Sequence, residues 1–223
     1  MSKKIFSVEE NIKEFGFWDK LSEAQKEKVI ATSTIREFKK EQVISSSEAS
    51  CMGVVLLLEG ALRVSVLSVD GREVTLYYLS DGESCVATAS CIINQITFDT
   101  LVTASENTTL LVVPSLTIAA LSDENIYVKC FVLETEAIRY SQTMWVMQEL
   151  LFKRLDERIA RYLVSNYEKT NNPVLKVTQE EIARDINSAR ESVARTLKHM
   201  ATDGIIEVGR GQIVLNEIEK LKR

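Results

Sequence analysis

The stretch VTQEEIARDINSARESVARTLKHMATDGIIEVGRGQIVL, residues 177–215, decides how the chain is organised. Thr178 and Glu181 match the capping-box pattern, in which a hydroxyl and a carboxylate bond the unpaired N–H groups at the start of a helix. Ser188 and Glu191 repeat this pattern further along. Two short helices, each with its own start and with about three residues between them, predict a helix-turn-helix.

The end of the same stretch predicts where the second helix stops. This helix should run from Ala189 to about Thr202, because Gly204 suits the left-handed conformation that ends a helix. The segments IIEV and QIVL, joined by GRG, then predict a β-hairpin. A hairpin directly after a helix-turn-helix is the wing of a winged helix.

The second helix has two different faces. One arc is apolar and can pack on the first helix: Val193, Leu197, Met200 and Ala201. The opposite arc is polar: Ser188, Glu191, Ser192, Arg195 and His199. Arginine can bind guanine O6 and N7 in bidentate fashion, and a carboxylate can accept from cytosine N4, so the polar face fits a DNA major groove. Arg190 lies off this arc, but its long side chain can still reach a base or a phosphate.

Residues 125–153 repeat apolar side chains at heptad spacing and predict one long helix. About 28 residues at about 1.5 Å each extend about 42 Å, which is more than a small β domain covers. We therefore expect the stripe to meet a second copy of itself; packing wholly inside one chain is the alternative. The expected dimer-interface residues are Cys130, Leu133, Ala137, Tyr140, Met144, Met147 and Leu151.

The region before this helix changes from helical to strand periodicity. A helical stretch over Val8–Ala31, with a helix start near Ser22, precedes short strands that begin near Glu37 and end at Pro114. Turn dipeptides such as Glu59-Gly60 recur about every ten residues, which predicts an antiparallel sandwich or barrel.

Charge is divided unevenly between the two ends of the chain. Residues 1–152 carry 13 Lys and Arg against 21 Asp and Glu, a net charge of −8, whereas residues 153–223 carry 14 against 11, a net charge of +3. The basic end is a candidate for nucleic-acid binding. The longest apolar run, Val54–Leu58, is far shorter than the roughly 20 residues of a membrane span, so we expect a cytoplasmic protein without a membrane partner.

The run from residue 177 to residue 215 closely resembles the DNA-binding module of the cyclic-AMP receptor protein and FNR family of bacterial transcription regulators. The R-E-x-V-x-R spacing of Arg190, Glu191, Val193 and Arg195 is similar to the receptor protein's recognition helix, where the two arginines and the glutamate read a TGTGA-type half-site. FNR-like members use Glu, Ser and Arg instead, and Ser192 does not restore that pattern. Thr178 matches a phosphate-contacting position, and the expected DNA-binding residues are Thr178, Ser188, Arg190, Glu191 and Arg195.

The resemblance covers essentially the whole chain and implies an α+β fold. It implies an effector-sensing β-roll domain over residues 1–122, a double-stranded β-helix or jelly-roll of the cyclic-nucleotide-binding type. A dimerisation helix over residues 123–153 and a winged helix-turn-helix domain over residues 154–223 should follow. The implied partners are double-stranded DNA with a palindromic site, a second copy of the chain, and RNA polymerase.

The expected effector pocket departs from the family pattern. Cyclic-nucleotide binders hold the ribose with a Gly-Glu pair and the phosphate with an Arg-Ser pair, but here these positions fall near Ala87 and residues 97–99. No arginine occurs between Arg72 and Arg139, and a buried phosphate without a cation is strongly disfavoured. We therefore expect an effector other than cyclic AMP, with effector and cofactor unidentified. The candidate effector-binding residues are Gly82, Glu83, Cys85, Cys91 and Thr143, the last matching a helix residue that touches the base in the receptor protein.

The thiols of Cys85 and Cys91 leave three interpretations open. They pack in the core, they sense oxidants or electrophiles, or they join Cys51 or Cys130 in holding a metal or cluster. Packing is the interpretation we favour, and we expect no metal site. The single histidine, His199, disfavours His-based catalysis and His-rich metal sites.

The sequence therefore predicts a homodimeric, sequence-specific DNA-binding transcription regulator controlled by a small effector or a redox signal. We expect no enzyme activity and no catalytic residues, because the chain has no credible nucleophile-base-acid set, no P-loop and no GxGxxG. The alternative function is a ligand-binding module that acts through protein partners, with the winged helix as a docking surface.

Overall fold

The computed structural model describes residues 5–45, 52–68, 71–86 and 100–222. The chain divides into two compact units. The first unit contains residues 1–72 and 76–143, and the second contains residues 73–75 and 144–223. Each unit has its own hydrophobic core.

The described N-terminal residues form four short helical segments, which confirms the predicted helical stretch over Val8–Ala31. They are α1 (Val8–Asn11), 3₁₀ turns over Ile12–Glu14 and Trp18–Lys20, and α2 (Glu23–Thr32). Phe15 and Phe17 lie between the two turns and are buried, with ring centroids 5.3 Å apart. Phe15 and Leu21, the residues that follow the two 3₁₀ turns, have extended backbone. The predicted start near Ser22 is confirmed, because Ser22 and Gln25 form a capping box.

In the described residues before Pro114, eight strands form two four-stranded sheets, which confirms the predicted β-rich architecture. The strands are β1 (Thr34–Phe38), β2 (Val43–Ser45), β3 (Val54–Glu59), β4 (Leu62–Leu67), β5 (Glu73–Leu79), β6 (Ser84–Val86), β7 (Leu101–Ala104) and β8 (Thr108–Val113). The sheet orders are β1-β8-β3-β6 and β2-β7-β4-β5. Strands β3 and β4, and strands β7 and β8, are neighbours in sequence but lie in opposite sheets, as in a jelly-roll.

The apolar run Val54–Leu58 lies in the centre of its sheet, where β3 pairs antiparallel with both β8 and β6. Alternate side chains point to opposite faces of the sheet. Val54, Leu56 and Leu58 join a core that also contains N-terminal and helical residues, whereas Val55 and Leu57 join the core formed by residues of both sheets. Burial on both faces explains why this strand is continuously apolar rather than alternating.

Two helices follow Pro114, which is the N-cap of α3 (Ser115–Glu124). The next helix, α4 (Ile126–Phe152), is 27 residues long and confirms the predicted long helix. One face of α4 is buried through Val128, Val132, Thr135 and Arg139. The Phe131 ring packs against the two buried N-terminal rings at centroid distances of 6.0 and 5.0 Å.

The second unit contains the predicted winged helix. The elements that follow α4 in this unit are α5 (Leu155–Thr170), β9 (Val174–Leu175), α6 (Gln179–Asp185), α7 (Arg190–Thr202), β10 (Ile206–Gly209), β11 (Gln212–Leu215) and α8 (Ile218–Leu221). Strand β11 pairs antiparallel with β10 and with β9. The core of this unit includes Ile159, Ile182, Val193 and Leu197, all fully buried. None of the helices in the described ranges is both long and apolar enough to cross a membrane.

Candidate functional site

The capping box predicted at the start of α6 is confirmed. The Glu181 N–H donates to Thr178 Oγ1 at 3.2 Å, and the Thr178 N–H donates to Glu181 Oε2 at 2.7 Å. The Thr178 hydroxyl also donates to the same carboxylate oxygen at 2.8 Å. A phosphate bound at Thr178 would therefore have to replace Glu181 as the acceptor of the hydroxyl proton.

The second predicted capping box, at Ser188 and Glu191, is wrong. Ala189 is the N-cap of α7, with φ −70° and ψ 136°, and no side chain caps this helix. The Ser188 N–H is bonded to the carbonyl oxygen of Ala183 at 2.8 Å, so Ser188 belongs to the turn and α7 starts one residue later than a Ser188 cap requires. Ser188 is half-buried in this turn.

The two faces predicted for α7 are present in the structure. Val193, Leu197 and Met200 are buried in the core of the second unit. Arg190, Glu191 and Arg195, which we expected to bind DNA, are exposed on the same helix. Of the other residues on the polar arc, His199 is exposed and Ser192 is partly exposed. The helix therefore presents two guanidinium groups and one carboxylate of the expected reading set to solvent.

A cleft of about 380 Å³ lies beside the start of α7. Its walls are the N-terminal turn of α6, the Arg190 side chain and the hairpin of β10 and β11. Arg210 lies at the tip of this hairpin between two glycines, and it is exposed. The cleft therefore brings two cationic side chains, Arg190 and Arg210, together with the carboxylate of Glu180.

Contacts from α5 fix the far end of α6, and the sequence did not predict them. Arg158 Nη1 donates to the carbonyl oxygen of Ile186 at 2.9 Å, and the Tyr162 hydroxyl donates to Asp185 Oδ2 at 3.1 Å. Arg158 and Tyr162 are four residues apart and so lie on one face of α5. The four-residue spacing indicates that the two side chains can contact the same neighbouring element, but it does not identify the partner residues.

In the first unit, the predicted turn at Gly82 and Glu83 is confirmed. Gly82 has φ +81° and its N–H donates to the Leu57 carbonyl oxygen at 2.8 Å. The Ser80 N–H donates to Glu83 Oε2 at 2.8 Å. The turn therefore holds one oxygen of Glu83 and leaves the other, Oε1, directed elsewhere.

Arg139 of α4 reaches this turn and brings a cation to it. Its side chain is only 7% exposed; Nη1 lies 3.4 Å from Glu83 Oε1, and Nη2 donates to the Ser84 carbonyl oxygen at 2.7 Å. Nη1 also donates to Gln142 Oε1 at 3.0 Å, and the guanidinium lies 5.2 Å from the Tyr77 ring centroid. The sequence interval without arginine ended at Arg139, but a helix far along the chain brings this residue back to the turn.

Cys85 lies in the core between the two sheets and is only 3% exposed. Burial raises the pKa of its thiol to about 12, although Arg139 acts in the opposite direction. Burial likewise raises the pKa of Tyr77. The thiolate is the reactive form of cysteine, so a thiol with a raised pKa is a poor redox sensor. The structure therefore favours the packing interpretation for Cys85.

The remaining candidate effector residues are Thr143 and Cys91. The Thr143 hydroxyl donates to the Arg139 carbonyl oxygen at 2.9 Å within its own helix. Cys91 and Cys51 lie outside the described residues, as do Ala87 and residues 97–99. Across the described ranges, no three His, Cys, Asp or Glu side chains form a group that could hold a metal ion.

Glu136, one turn before Arg139 on α4, is partly buried in the same region. Burial raises the pKa of its carboxyl to about 7, and Arg139 opposes that shift. Sequence reasoning missed this residue because a glutamate on a long helix is normally a solvated charge. The buried and titratable groups around the turn thus include a guanidinium, a phenol, a thiol and this carboxyl.

Comparison with known proteins gives consistent matches to both units. Residues 35–125 match the family model of the cyclic nucleotide-binding domain, and residues 157–223 match that of the Crp-like helix-turn-helix domain. A solved structure from Eubacterium rectale, described as a transcriptional regulator of the crp/fnr family, is 31% identical. The alignment covers 94% of this chain and 97% of that one, with a TM-score of 0.87.

Of two further matches, one has lower sequence identity and the other covers a smaller part of this chain. The c-di-GMP-responsive global regulator CLP of Xanthomonas campestris is 19% identical, with 87% of this chain and 99% of CLP covered and a TM-score of 0.71. At that identity the match shows a shared fold. The transcriptional regulator SdrP of Thermus thermophilus is 32% identical over 82 residues, or 34% of this chain. That match spans 41% of the length of SdrP.

We predict that Cys85 resists modification in the folded protein. Native protein treated with iodoacetamide at about pH 8 should keep Cys85 unmodified, because the thiol is buried and protonated. The same treatment in urea should alkylate it. Peptide mass spectrometry checks both results. Rapid labelling of Cys85 in native protein would contradict the packing interpretation and restore a sensing role.

We also predict a stability loss with rising pH that depends on Glu136. Burial raises the pKa of its carboxyl from the ordinary value of 4.5 to about 7, so between these pH values the folded state retains a proton that the unfolded state has released. Stability from this group is complete below 4.5 and is lost as pH rises through about 7. The melting temperature should therefore fall less steeply between about pH 5 and pH 8 for Glu136→Gln than for wild type.

The control for this experiment is Glu134→Gln, which changes an exposed carboxylate of the same helix. It should leave the pH dependence of the wild-type melting temperature unchanged. Parallel curves for wild type and Glu136→Gln would show that Glu136 is not the titrating group.

Proposed function

The chain belongs to the CRP/FNR family of transcriptional regulators, and from this membership we propose that it is a homodimer that binds a two-fold symmetric DNA sequence. Helix α7 is the reading element in this proposal. Thr178 and the wing contact the sugar-phosphate backbone, and Arg190, Glu191 and Arg195 read base edges. The dimer then controls transcription by recruiting or blocking RNA polymerase.

The observation that carries the proposal is the arrangement of α7. Its buried side, through Val193 and Leu197, anchors the helix in the core, while its other side exposes two arginines and a glutamate. Specific reading of the major groove requires exposed side chains on a helix that is held rigidly. Arg158 and Tyr162 support this rigidity because they fix the end of α6, on which α7 packs.

The exposed face of α4 supports the homodimer. Six of the seven expected interface residues are exposed in the single chain and Met144 is partly exposed. They form a stripe on the opposite side of α4 from its buried face at Val128, Val132 and Thr135. A long stripe of apolar residues in contact with water is costly, and pairing with the same stripe of a second copy covers it.

A two-fold dimer sets the form of the DNA site. Its two recognition helices enter successive major grooves on one side of the duplex, about 34 Å apart, so the half-sites are inverted repeats. By resemblance, the half-site is of the TGTGA type.

We further propose that a small effector other than cyclic AMP acts on the first unit. Arg139 is the cation of this region, but its Nη groups already bind Glu83, the Ser84 carbonyl and Gln142. A cyclic phosphate would have to displace these partners. Because Arg139 joins the turn at Gly82 and Glu83 to α4, a ligand that shifts the turn would also bias the helix proposed to form the dimer interface.

We predict that Arg195→Ala weakens binding to a selected palindromic duplex by about 1–3 kcal/mol and relaxes the preference at one base pair. Fluorescence anisotropy at two salt concentrations measures this. Lys169→Ala, an exposed cation at the end of α5, is the control and should bind as wild type. An equal loss on random-sequence DNA would show that Arg195 contacts only phosphate.

We predict that Leu133→Glu converts the dimer to a monomer, because it places a charge on the proposed interface. Light scattering should give twice 25.1 kDa for wild type and 25.1 kDa for the variant. Leu116→Glu is the matched control, since Leu116 is 85% exposed on α3, outside the stripe, and it should leave the dimer intact. A dimeric Leu133→Glu variant would place the interface elsewhere.

A further inference from the structure

An ion pair joins the two helices of the helix-turn-helix on their exposed side. Arg190 Nη1 lies 3.9 Å from Glu180 Oε2, and the two side chains are 64% and 77% exposed. Glu180 comes from the first turn of α6 and Arg190 from the first turn of α7. Both line the cleft beside the wing.

Glu180 is distinct from its neighbour Glu181 in what its carboxylate contacts. Glu181 binds the Thr178 N–H and hydroxyl and so stabilises the start of α6. The Glu180 carboxylate instead faces a residue of the other helix. An exposed pair of this kind adds little to stability, so its effect should be sought in what Arg190 does.

The chemistry of the guanidinium lets one arginine contact a carboxylate and a base together. Arginine has five N–H donors in a rigid plane, and a carboxylate near Nη1 leaves the remaining donors available for a base edge. Arg190 has a long side chain with many rotamers, so a fixed partner reduces the conformational freedom that is lost when it binds a base.

We propose that Glu180 is a positioning residue for sequence recognition. It holds the Arg190 guanidinium in an orientation that presents its free donors to guanine, and its own negative charge opposes contact between this region and a misplaced phosphate. Both effects increase the ratio of specific to random-sequence binding. The inference rests on the proposed function, because it requires Arg190 to read a base.

The test is the effect of Glu180→Ala on two duplexes, a palindrome selected with the wild-type protein and a random sequence of equal length. The variant should bind the selected duplex about two- to fivefold more weakly, within the range of an exposed ion pair, and should bind random DNA as tightly as wild type or more tightly. Anisotropy at fixed salt gives both affinities. Glu180→Gln, which keeps an acceptor oxygen, should retain part of the preference for the selected duplex.

An Arg190→Ala background separates positioning from simple repulsion. In that background, Glu180→Ala should no longer reduce the ratio of specific to random-sequence binding, because the Arg190 guanidinium that Glu180 positions is absent. Glu168→Ala removes an equal charge from the exposed end of α5 and should leave the ratio unchanged in either background.

Three results would overturn the inference. Equal strengthening on both duplexes would mean that Glu180 acts only by repulsion, and an undiminished effect in the Arg190→Ala background would mean that it does not act through Arg190. In either case the proposed function would stand if wild type prefers its selected duplex. A wild-type protein with no preferred duplex would remove the proposed function and the inference together.

Discussion

The helix α4 has two apolar faces, and the single chain buries only one of them. Val128, Val132 and Thr135 are buried in the first unit, while the stripe containing Leu133 and Tyr140 is exposed. In the proposed dimer, the same helix therefore contacts its own chain on one face and a second copy on the other. Any change that alters how its buried face packs also alters the orientation of its exposed face, because an α-helix rotates as a rigid body.

Arg139 further restricts the position of α4, because it is a charged residue on the buried face of this helix. A buried charge is tolerated only when it is paired and hydrogen-bonded, and here the partners are Glu83, the Ser84 carbonyl and Gln142. Glu83 lies in the turn that precedes β6, and Ser84 is the first residue of β6. The position of α4 is thus tied to a turn in the β-rich unit by polar contacts that are costly to leave unmade.

The sequence predicted those features that depend on local pattern and missed those that depend on distant contacts. The Thr178 capping box, the wing and the length of α4 follow from residues close together in sequence, and all were predicted correctly. Ser188 has the same local pattern as Thr178, but its N–H is bonded to the Ala183 carbonyl oxygen in the turn and so is not available to the Glu191 carboxylate, as a capping box requires. The packing of Phe15 and Phe17 against Phe131 was not predicted either, because Phe131 lies more than a hundred positions away in the sequence. Arg139 was missed for the same reason, because only the fold brings it to Glu83.

The charge distribution limits how such a protein can find DNA. Residues 1–152 carry a net charge of −8 and residues 153–223 carry only +3, so the chain as a whole is repelled by a phosphate backbone. Attraction must then come from a small area, the exposed face of α7 and the cleft beside the wing. Random-sequence binding depends on the number of phosphates neutralised, which is small for so few cations, whereas base contacts depend on geometry. A small basic surface on an acidic chain therefore weakens binding to random-sequence DNA more than binding to a preferred site. This difference suits a regulator that has to discriminate its own site from the rest of the DNA.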